Sequence, residues 1–471
     1  MISASGKWTI ALAALLLGGC STFSDDGGTG KVNDTLSQRG ITQQAPWIKS
    51  EADADRAADA VRKLLAQPLT ADHAVQIALL NNRGLQAAYA ELGIAEAELV
   101  QAGRLRNPGF SFGRKHRADE VEYERAFIFD LMGLLTMPIR TQLERERFEI
   151  AQNRMAAGIM QVAADTRRAW VSAVAAQQSA IYAEQVKGAA EAASELARRM
   201  VNAGNFSKLD QAREQAFYAD ATAQLARARQ QALAERERLT RLLGLWGNDI
   251  AFKLPERLPD LPPSLRDMTD IERQAMQQRL DVQEAVGHAE NIANSLGLTK
   301  ATGYFSVLEA KYIRNSESGK PRQTGYEIEL RLPIFDTGSA KLARAENTHR
   351  QAVNRAADLA IRARSEVREA YGAWRTSHDL ARHYRDEVVP LRARISEETL
   401  LRYNGMLMSV FELLAESRQQ VGAVTSAIEA QRDFWLADTT LQFTINGKSP
   451  GTIAVSGGSL RAAAPAAEVG H

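Results

Sequence analysis

The sequence of 471 residues has little of several things: one cysteine, 13 prolines and 6% aromatic residues. A single cysteine excludes an intrachain disulfide. Because long segments consist mainly of Ala, Arg, Glu, Gln and Leu, the composition favours long helices over compact globular domains. The 58 basic and 57 acidic residues nearly cancel, so no global charge indicates nucleic acid as a partner.

The residue patterns of catalytic and cofactor sites are also missing. No two of the seven histidines lie four residues apart on a predicted helix, as a helical zinc site would need. No glycine-rich phosphate loop follows a strand. The carboxylates lie on helix faces rich in arginine, which is typical of solvated charge pairs. Met406 and Met408 are soft ligands suited to copper(I), but packing explains them as well. We therefore expect no enzyme activity, no cofactor and no metal.

Residues 1–19 have the pattern of a secretory signal peptide. Lys7 supplies its positive charge, and an apolar stretch too short to span a bilayer as a helix follows. Leu17–Cys20 resembles a bacterial lipobox, which implies cleavage before Cys20 and its acylation, with palmitate among the acyl groups. Ser21 then favours the outer membrane. An ordinary signal with an incidental cysteine is the alternative. Residues 20–48 predict a lipidated, flexible tether.

The remainder of the chain is one pattern written twice. The segment from Ala74 to Ala88 matches the segment from Ile271 to Ala285 at an offset of 197, and Gly204 matches Gly405 at 201. We therefore predict a first repeat at 49–247, a connector at 248–267 and a second repeat at 268–445. A disordered tail at 446–471 follows.

Both repeats predict the same order of elements: helix, β-hairpin, long helix, turn, helix. In the first repeat these are a helix from Thr70 to Leu105, a hairpin at about 109–138, a long helix from Arg140, a turn at Gly204 and a helix to Leu243. In the second they are a helix from Asp270 to Leu298, a hairpin at about 301–335, a long helix from Ser339 to Tyr403, a turn at Gly405 and a helix to Leu441. Apolar positions in alternating steps of four and three predict a coiled-coil seam along both long helices.

The predicted strands are apolar on one face and charged on the other. In the first hairpin Tyr123 and Phe127 alternate with Glu122 and Glu124, and the second hairpin repeats this pattern. Such strands fit a barrel wall between lipid and a watery lumen, and they fit equally a soluble hairpin that packs on helices. Four strands cannot close a barrel around a channel, so the membrane alternative requires an oligomer.

In this order, several segments resemble the TolC-like outer-membrane efflux family. They are LTADHAVQIALLNN at 69–82, Asn107–Pro108, AGNFSKLD at 203–210, LLGL at 242–245 and LPIFDTG at 332–338. The resemblance implies a mainly α protein with a small β part, whose homotrimer forms a twelve-stranded transmembrane β-barrel and a periplasmic α-barrel. It also implies an outer-membrane channel that conducts exported substrate passively, with a periplasmic adaptor and an inner-membrane pump as partners.

The same resemblance implies that the two helical turns face the adaptor. The candidate docking residues are Gly204, Asn205, Phe206, Ser207, Asp210, Gly405, Met406, Leu407 and Ser409. Glycine makes a positive φ inexpensive in the turns, Ser207 and Asp210 can cap the helix that follows, and large apolar side chains at a solvent-facing turn indicate contact. The second tip places Ser409 one position late and lacks an aspartate equivalent to Asp210.

An acidic ring at the channel entrance is a further expectation, formed by Asp210, Glu412 and Glu416, with ordinary helix capping as the alternative. A different class of function also stays open, namely a periplasmic coiled-coil lipoprotein with a scaffolding role. It shares the anchor and the long helices but predicts soluble hairpins. The sequence does not identify the cargo.

Overall fold

The computed structural model describes residues 22–43, 45–117, 120–265, 268, 270–302, 307–330, 334–335 and 337–450. Cys20, the predicted signal peptide and most of the predicted tail lie outside the described residues. Within them the chain is mainly helical with a small antiparallel sheet, which confirms the predicted fold class at this level.

From residue 71 onward the elements follow the predicted order, whereas the two helices before that residue were not predicted. The helices before the sheet are α1 (Thr29–Gln38), α2 (Glu51–Leu65), α3 (Ala71–Asn81) and α4 (Arg83–Ala102). After β1 (Gly109–Arg117) and β2 (Glu120–Asp130) come α5 (Leu131–Asn202), α6 (Lys208–Leu243) and a short 3-10 helix at Gly247–Ala251. The second repeat contains α7 (Ile271–Gln278), α8 (Leu280–Thr302), β3 (Leu308–Glu317), β4 (Gln323–Leu330), α9 (Ser339–His383), a π-helix at Tyr384–Val388, α10 (Val389–Asn404) and α11 (Val410–Asn446).

The two hairpins join into one four-stranded antiparallel sheet in the order β1-β2-β3-β4. Its register stacks aromatic side chains across the sheet on one face, with Phe110 opposite Phe127, Phe127 opposite Tyr312 and Tyr312 opposite Tyr326. All carboxylates of the described strand residues lie on the other face. They are Glu120, Glu122, Glu124, Asp130, Glu309, Glu317, Glu327 and Glu329. One face of the sheet is therefore mainly apolar, although it also carries Arg114, Arg125 and Arg314, and the other face is acidic.

The helix α5 connects this sheet to the first turn and has 72 residues, which corresponds to a length of about 108 Å. It begins at Leu131, nine residues before the predicted start at Arg140. The reason is a cap: the Asp130 carboxylate accepts a hydrogen bond of 2.6 Å from the Gly133 N–H, which satisfies a free donor of the first turn. None of the described helices combines the length and the hydropathy needed to cross a membrane.

The first predicted helix of each repeat is broken in two, at Asn82 and at Arg279. At the first break the Asn81 amide donates to the carbonyl oxygens of Leu243 (3.2 Å) and Gly244 (2.7 Å). At the second, the Leu280 N–H donates to the Gly447 carbonyl at 2.9 Å. In both repeats the break is thus held by the end of the last helix, a tertiary contact that helix propensity cannot reveal.

The second break contains a buried charge network. The guanidinium of Arg279 is fully buried and pairs with Asp281 at 2.8 Å and with Glu366 at 2.5 Å. The Ser449 hydroxyl donates to Glu366 at 2.8 Å. The prediction of a tail disordered from 446 onward is therefore wrong for residues 446–450, because this network holds them. Residues 451–471 lie outside the described part.

The prediction of a flexible tether is wrong for residues 22–43 and 45–48. The helix α1 buries Val32 and Leu36, the Ser24 N–H donates to Glu96 at 2.7 Å, and the rings of Trp47 and Tyr89 stack at 5.9 Å. Composition indicated a polar linker, but these few apolar side chains suffice to hold it against α4 and α5.

Candidate functional site: the two helical tips

The first tip is the turn between α5 and α6. The Gly204 N–H donates to the Val201 carbonyl at 3.0 Å, and the Asn205 N–H donates to the Met200 carbonyl at 2.9 Å. Gly204 has a φ of 78°. These are the bonds and the left-handed residue of a Schellman motif. A Cβ at Gly204 would meet no atom within 4 Å, so the backbone conformation, rather than crowding, favours glycine.

The second tip, between α10 and α11, repeats this geometry one residue later than predicted. The Met406 N–H donates to the Tyr403 carbonyl at 3.0 Å, and the Leu407 N–H donates to the Arg402 carbonyl at 2.9 Å. The positive φ belongs to Met406, at 59°, whereas Gly405 has a φ of −79°. The expectation that Gly405 provides the left-handed residue is therefore wrong. By its hydrogen bonds the second tip matches the first at an offset of 202, and Met406 takes the place of Gly204.

The helices that leave the tips are capped alike. Ser207 accepts from the Asp210 N–H at 3.1 Å, and Ser409 accepts from the Glu412 N–H at 3.4 Å. The Glu412 carboxylate in turn accepts from the Ser409 N–H at 2.9 Å, which completes a capping box. The second tip has no aspartate at this position; Glu412 stands there and is the equivalent of Asp210.

The two tips differ in the side chains that they expose. Met406 is 93% exposed and Leu407 is 81% exposed. At the first tip, Gly204 corresponds to Met406 and Asn205 corresponds to Leu407. Phe206, which we expected to be exposed, is half-buried. Leu209, which was not predicted as a docking residue, is 62% exposed at the start of α6. Its position in the first turn of α6, directly after the capping serine, could have indicated this exposure.

The acids proposed for an entrance ring all have partners within the chain. Asp210 pairs with Arg213 at 3.2 Å, Glu412 belongs to the capping box, and Glu416 pairs with Arg392 at 3.4 Å. The two hydrogen bonds from Ser409 hold the pKa of Glu412 below its usual value. Local capping and pairing therefore account for these side chains without a ring.

One contact between the two helical hairpins was missed entirely. Glu214 on α6 is 3% exposed and pairs with Arg418 on α11 at 2.8 Å. The Arg418 guanidinium also lies 4.5 Å from the centre of the Phe217 ring. The pair ties the first hairpin to the second just above the tips. Nothing in the sequence distinguishes these charges from the many solvated ones on the same helices.

The comparison with known proteins gives the fold. No family model and no curated protein matches the chain. Among solved structures, a membrane protein from Pseudomonas aeruginosa is similar with a TM-score of 0.69 and 20% identity, over 82% of this chain and 93% of that one. The outer-membrane channel OprN is similar at 0.68 and 16%, over 91% and 98%. The outer membrane protein VceC from Vibrio cholerae is similar at 0.68 and 14%, over 80% and 96%.

The chain has the fold of the outer-membrane channels. The predicted resemblance to the TolC-like family is confirmed for the fold. In this fold the tips described above are the ends of the two helical hairpins, and the sheet lies at the opposite end of α5. In the described part of the chain, no group of three His, Cys, Asp or Glu side chains could hold a metal ion.

Proposed function

We propose that this chain is the outer-membrane channel of a tripartite efflux or secretion system, and that it works as a homotrimer. The observation that carries the proposal is the four-stranded sheet with one mainly apolar face and two edge strands, β1 and β4, that have no strand partner among the described residues. Lipid cannot satisfy the free backbone groups of an open edge. Pairing of β4 with β1 of the next protomer removes every edge and gives a barrel of twelve strands.

The two faces of the sheet suit this role. Large side chains such as Phe127 (47% exposed) and Tyr326 (86% exposed) project from the apolar face and would meet lipid. The acidic face would line the lumen, where Lys311 already pairs with Glu329 at 2.6 Å. Because carboxylates outnumber basic groups on that face, we expect the open channel to favour cations.

At the other end, the tips are proposed to dock a periplasmic adaptor that connects the channel to an energised pump. Exposed apolar side chains on a rigid turn are suitable anchors for such a contact. Met406 and Leu407 are the main candidates, with Leu209 on the first tip. The channel itself conducts passively and uses no nucleotide.

The lipid anchor at Cys20 is part of the same proposal. Ser24 is held by Glu96 near the end of α4 that leads to the sheet. Cys20 is four residue steps from Ser24, and four steps span at most about 14 Å. An acyl group on Cys20 would therefore lie near the membrane end of the protein rather than at the tips.

The experiment is expression with the native signal, fractionation of the membranes, heat-modifiable migration of a trimer, and current measurements in planar bilayers. Under a salt gradient, the sign of the reversal potential should indicate selectivity for cations. Phe127→Arg, on the apolar face, should prevent membrane assembly at a cost of about 2–4 kcal/mol per chain. Its neighbour on the acidic face, Ile128→Arg, is the matched control and should still assemble.

A stable, water-soluble monomer that gives no current after removal of the acyl group would contradict the proposal. It would support a scaffolding lipoprotein instead. Equal behaviour of the two arginine variants would contradict the assignment of the faces.

A further inference from the structure

A cavity of about 730 Å³ lies where the helices meet the sheet. It is bounded by α5, α8 and α9, and α8 packs against both of the other helices. The cavity reaches Thr299 near the end of α8 and Lys341 near the start of α9, and β3 and β4 stand between these two positions in the chain. A cavity of this size accommodates a small molecule.

Basic side chains dominate the polar part of the lining. They are Arg147, Arg154, Lys341 and Arg344, and the imidazole of His288 also lines the cavity. No Asp or Glu among the described residues lines it. Because a concave surface with charges of one sign concentrates their field, the cavity favours an anion.

The two arginines of α5 are positioned by acids that lie outside the lining. Arg147 pairs with Glu144 at 2.6 Å, and Arg154 pairs with Glu284 at 2.5 Å. These two charges are therefore balanced within the chain. The excess positive charge of the cavity comes from α9.

On α9, Lys341 and Arg344 are unpaired in the described part of the chain. Both side chains are exposed, and neither has an ion pair or a side-chain hydrogen bond there. Further along the same helix, in contrast, Arg362 pairs with Asp358 one turn away at 2.7 Å. The unpaired cations of α9 thus coincide with the cavity.

The stability of α9 does not account for these two cations. The positive end of a helix dipole lies at the first turn, where acidic residues are stabilising and basic residues are not. The first turn of α9 has no acidic residue and has Lys341 instead. Lys341 and Arg344 are three residues apart, so their like charges repel across one turn. A bound anion would relieve both effects.

The apolar part of the lining sets the class of anion. Ile150, Ile292 and Leu296 line the same cavity and are half-buried. A hydrated inorganic ion gains nothing from such side chains, whereas an organic anion can bury its apolar body against them.

The position of α1 indicates which way the cavity faces. The Gln152 amide donates to the Gly28 carbonyl at 3.1 Å, so α1 lies on the Gln152 side of α5. Successive helical residues are about 100° apart, which places Arg147 about 140° and Arg154 about 160° around α5 from Gln152. In the proposed channel, an acyl group on Cys20 reaches lipid only from the outer surface of the barrel. Because α1 follows Cys20, the far side of α5 and its cavity face the lumen.

We propose that this cavity binds an amphipathic organic anion inside the channel, and that Lys341 and Arg344 hold its anionic group. The inference rests on the proposed channel function and gives it a class of cargo, namely a carboxylate, sulfonate or phosphate on an apolar body. In the proposed trimer, three such sites form a basic ring next to the acidic lumenal face of the sheet. An anion that enters at the tips meets this ring before it reaches the sheet.

The test measures binding of naphthalene-2-sulfonate to the purified, full-length protein in a nonionic detergent by isothermal titration calorimetry. Sulfate supplies the charge without the apolar body, and 2-naphthyltrimethylammonium supplies the apolar body with the opposite charge. We expect saturable binding of the sulfonate that weakens as salt is added. Both control compounds should bind at least tenfold more weakly.

The variant Lys341→Gln with Arg344→Gln should raise the Kd of the sulfonate at least tenfold. Arg350→Gln with Arg355→Gln is the matched control, because it removes two exposed charges from the same helix outside the lining. It should change the Kd less than twofold. Ala345→Phe, which fills the cavity without changing its charge, should also weaken binding.

Equal losses in the two double variants would overturn the proposal, and so would equal binding of sulfonate and sulfate. Native mass spectrometry provides a further test. An anionic phospholipid retained by the wild-type protein and lost from the Lys341→Gln, Arg344→Gln variant would assign the site to the membrane and overturn its place in the lumen.

Calorimetry needs no conduction, so the two proposals can fail separately. If the sulfonate binds as expected and bilayers show no current, the cavity is an anion site and the channel function fails. If current flows and the sulfonate does not bind, the channel stands and the anion site fails. Where current flows, the sulfonate should reduce it in the wild-type protein and not in the Lys341→Gln, Arg344→Gln variant, and an equal reduction in both would contradict the lumenal position.

Discussion

The two tips have the same backbone and different side chains. Each turn uses the same pair of hydrogen bonds, a left-handed residue, and a serine cap followed by an acid three residues later. At the left-handed position the first tip has Gly204 and the second has Met406. At the next position the first has Asn205 and the second has Leu407.

This difference indicates why each residue occupies the left-handed position of its turn. A left-handed conformation costs an ordinary residue about 1–2 kcal/mol, and glycine avoids that cost. At the first tip the residue that suits the backbone is present. At the second, a strained and fully exposed methionine occupies the same place, so folding of the turn does not account for it. We propose contact with another molecule as the reason, which makes the second tip the stronger candidate for docking.

The largest expected effect concerns the contact that ties the tips together. Arg418→Met leaves Glu214 buried and unpaired, which costs about 3–5 kcal/mol. Hydrogen exchange in α6 and α11 near this pair should accelerate accordingly. Arg213→Met removes the exposed ion pair at the first tip and should cost about 0.3–0.5 kcal/mol. Similar losses in the two variants would show that the pair between the hairpins is not special.

The next largest effect should be on adaptor affinity, which we expect to depend on the second tip more than on the first. Leu407→Ser removes an exposed apolar side chain from the second tip, and we expect about 2 kcal/mol of lost affinity, or about thirtyfold. Asn205→Ser at the matching position of the first tip should change affinity less than about threefold. Titration of purified channel with purified adaptor measures both. A larger loss from the first tip would reverse our assignment.

A reciprocal exchange tests the cost of the left-handed residue. Met406→Gly should stabilise the second turn by about 1 kcal/mol, and Gly204→Met should destabilise the first by about 1–2 kcal/mol. Exchange rates of the amides in each turn report both changes. If both substitutions changed the stability of their turns in the same direction, this interpretation would be refuted. The residue at the first tip would then not be explained by backbone conformation, nor the residue at the second tip by contact.

The smallest effect is a dependence on pH at the second tip. The folded state lowers the pKa of Glu412, because Ser409 donates to its carboxylate. The stabilisation from this cap is therefore present above the usual pKa of 4.5 and is lost as the pH falls through the lowered value. Amide exchange in the first turn of α11 should increase in that acid range. Glu412→Gln should remove this dependence, and an unchanged profile in that variant would exclude the cap as its cause.

Local patterns predicted much of the fold. The seam positions of the long helices, the alternation in the strands and the serine before each restarting helix all follow from side-chain periodicity and capping. The helix breaks at Asn82 and Arg279 did not follow, because the bonds that hold them come from residues about 160 positions away in the chain. The ordered segment before Ile48 was missed because a polar composition outweighed the spacing of Val32 and Leu36.

The sequence predicted which residues lie at the tips, but the correspondence between the two tips was shifted by one residue. Matching Gly204 with Gly405 was reasonable from residue type alone. Only the hydrogen bonds of the turns and the π-helix above them show that Met406 is the equivalent of Gly204. A one-residue insertion inside a helix leaves no mark in a sequence of alternating polar and small residues.

The sequence by itself determined the duplicated plan, the amphipathic strands and the capped turns, because each depends on residues a few positions apart. The tertiary structure alone decided the register of the second helical hairpin relative to the first. It also decided the joining of the two β-hairpins into one sheet and the burial of Glu214 against Arg418. Those features depend on contacts between distant segments, and their energies are set by burial and geometry that no local pattern encodes.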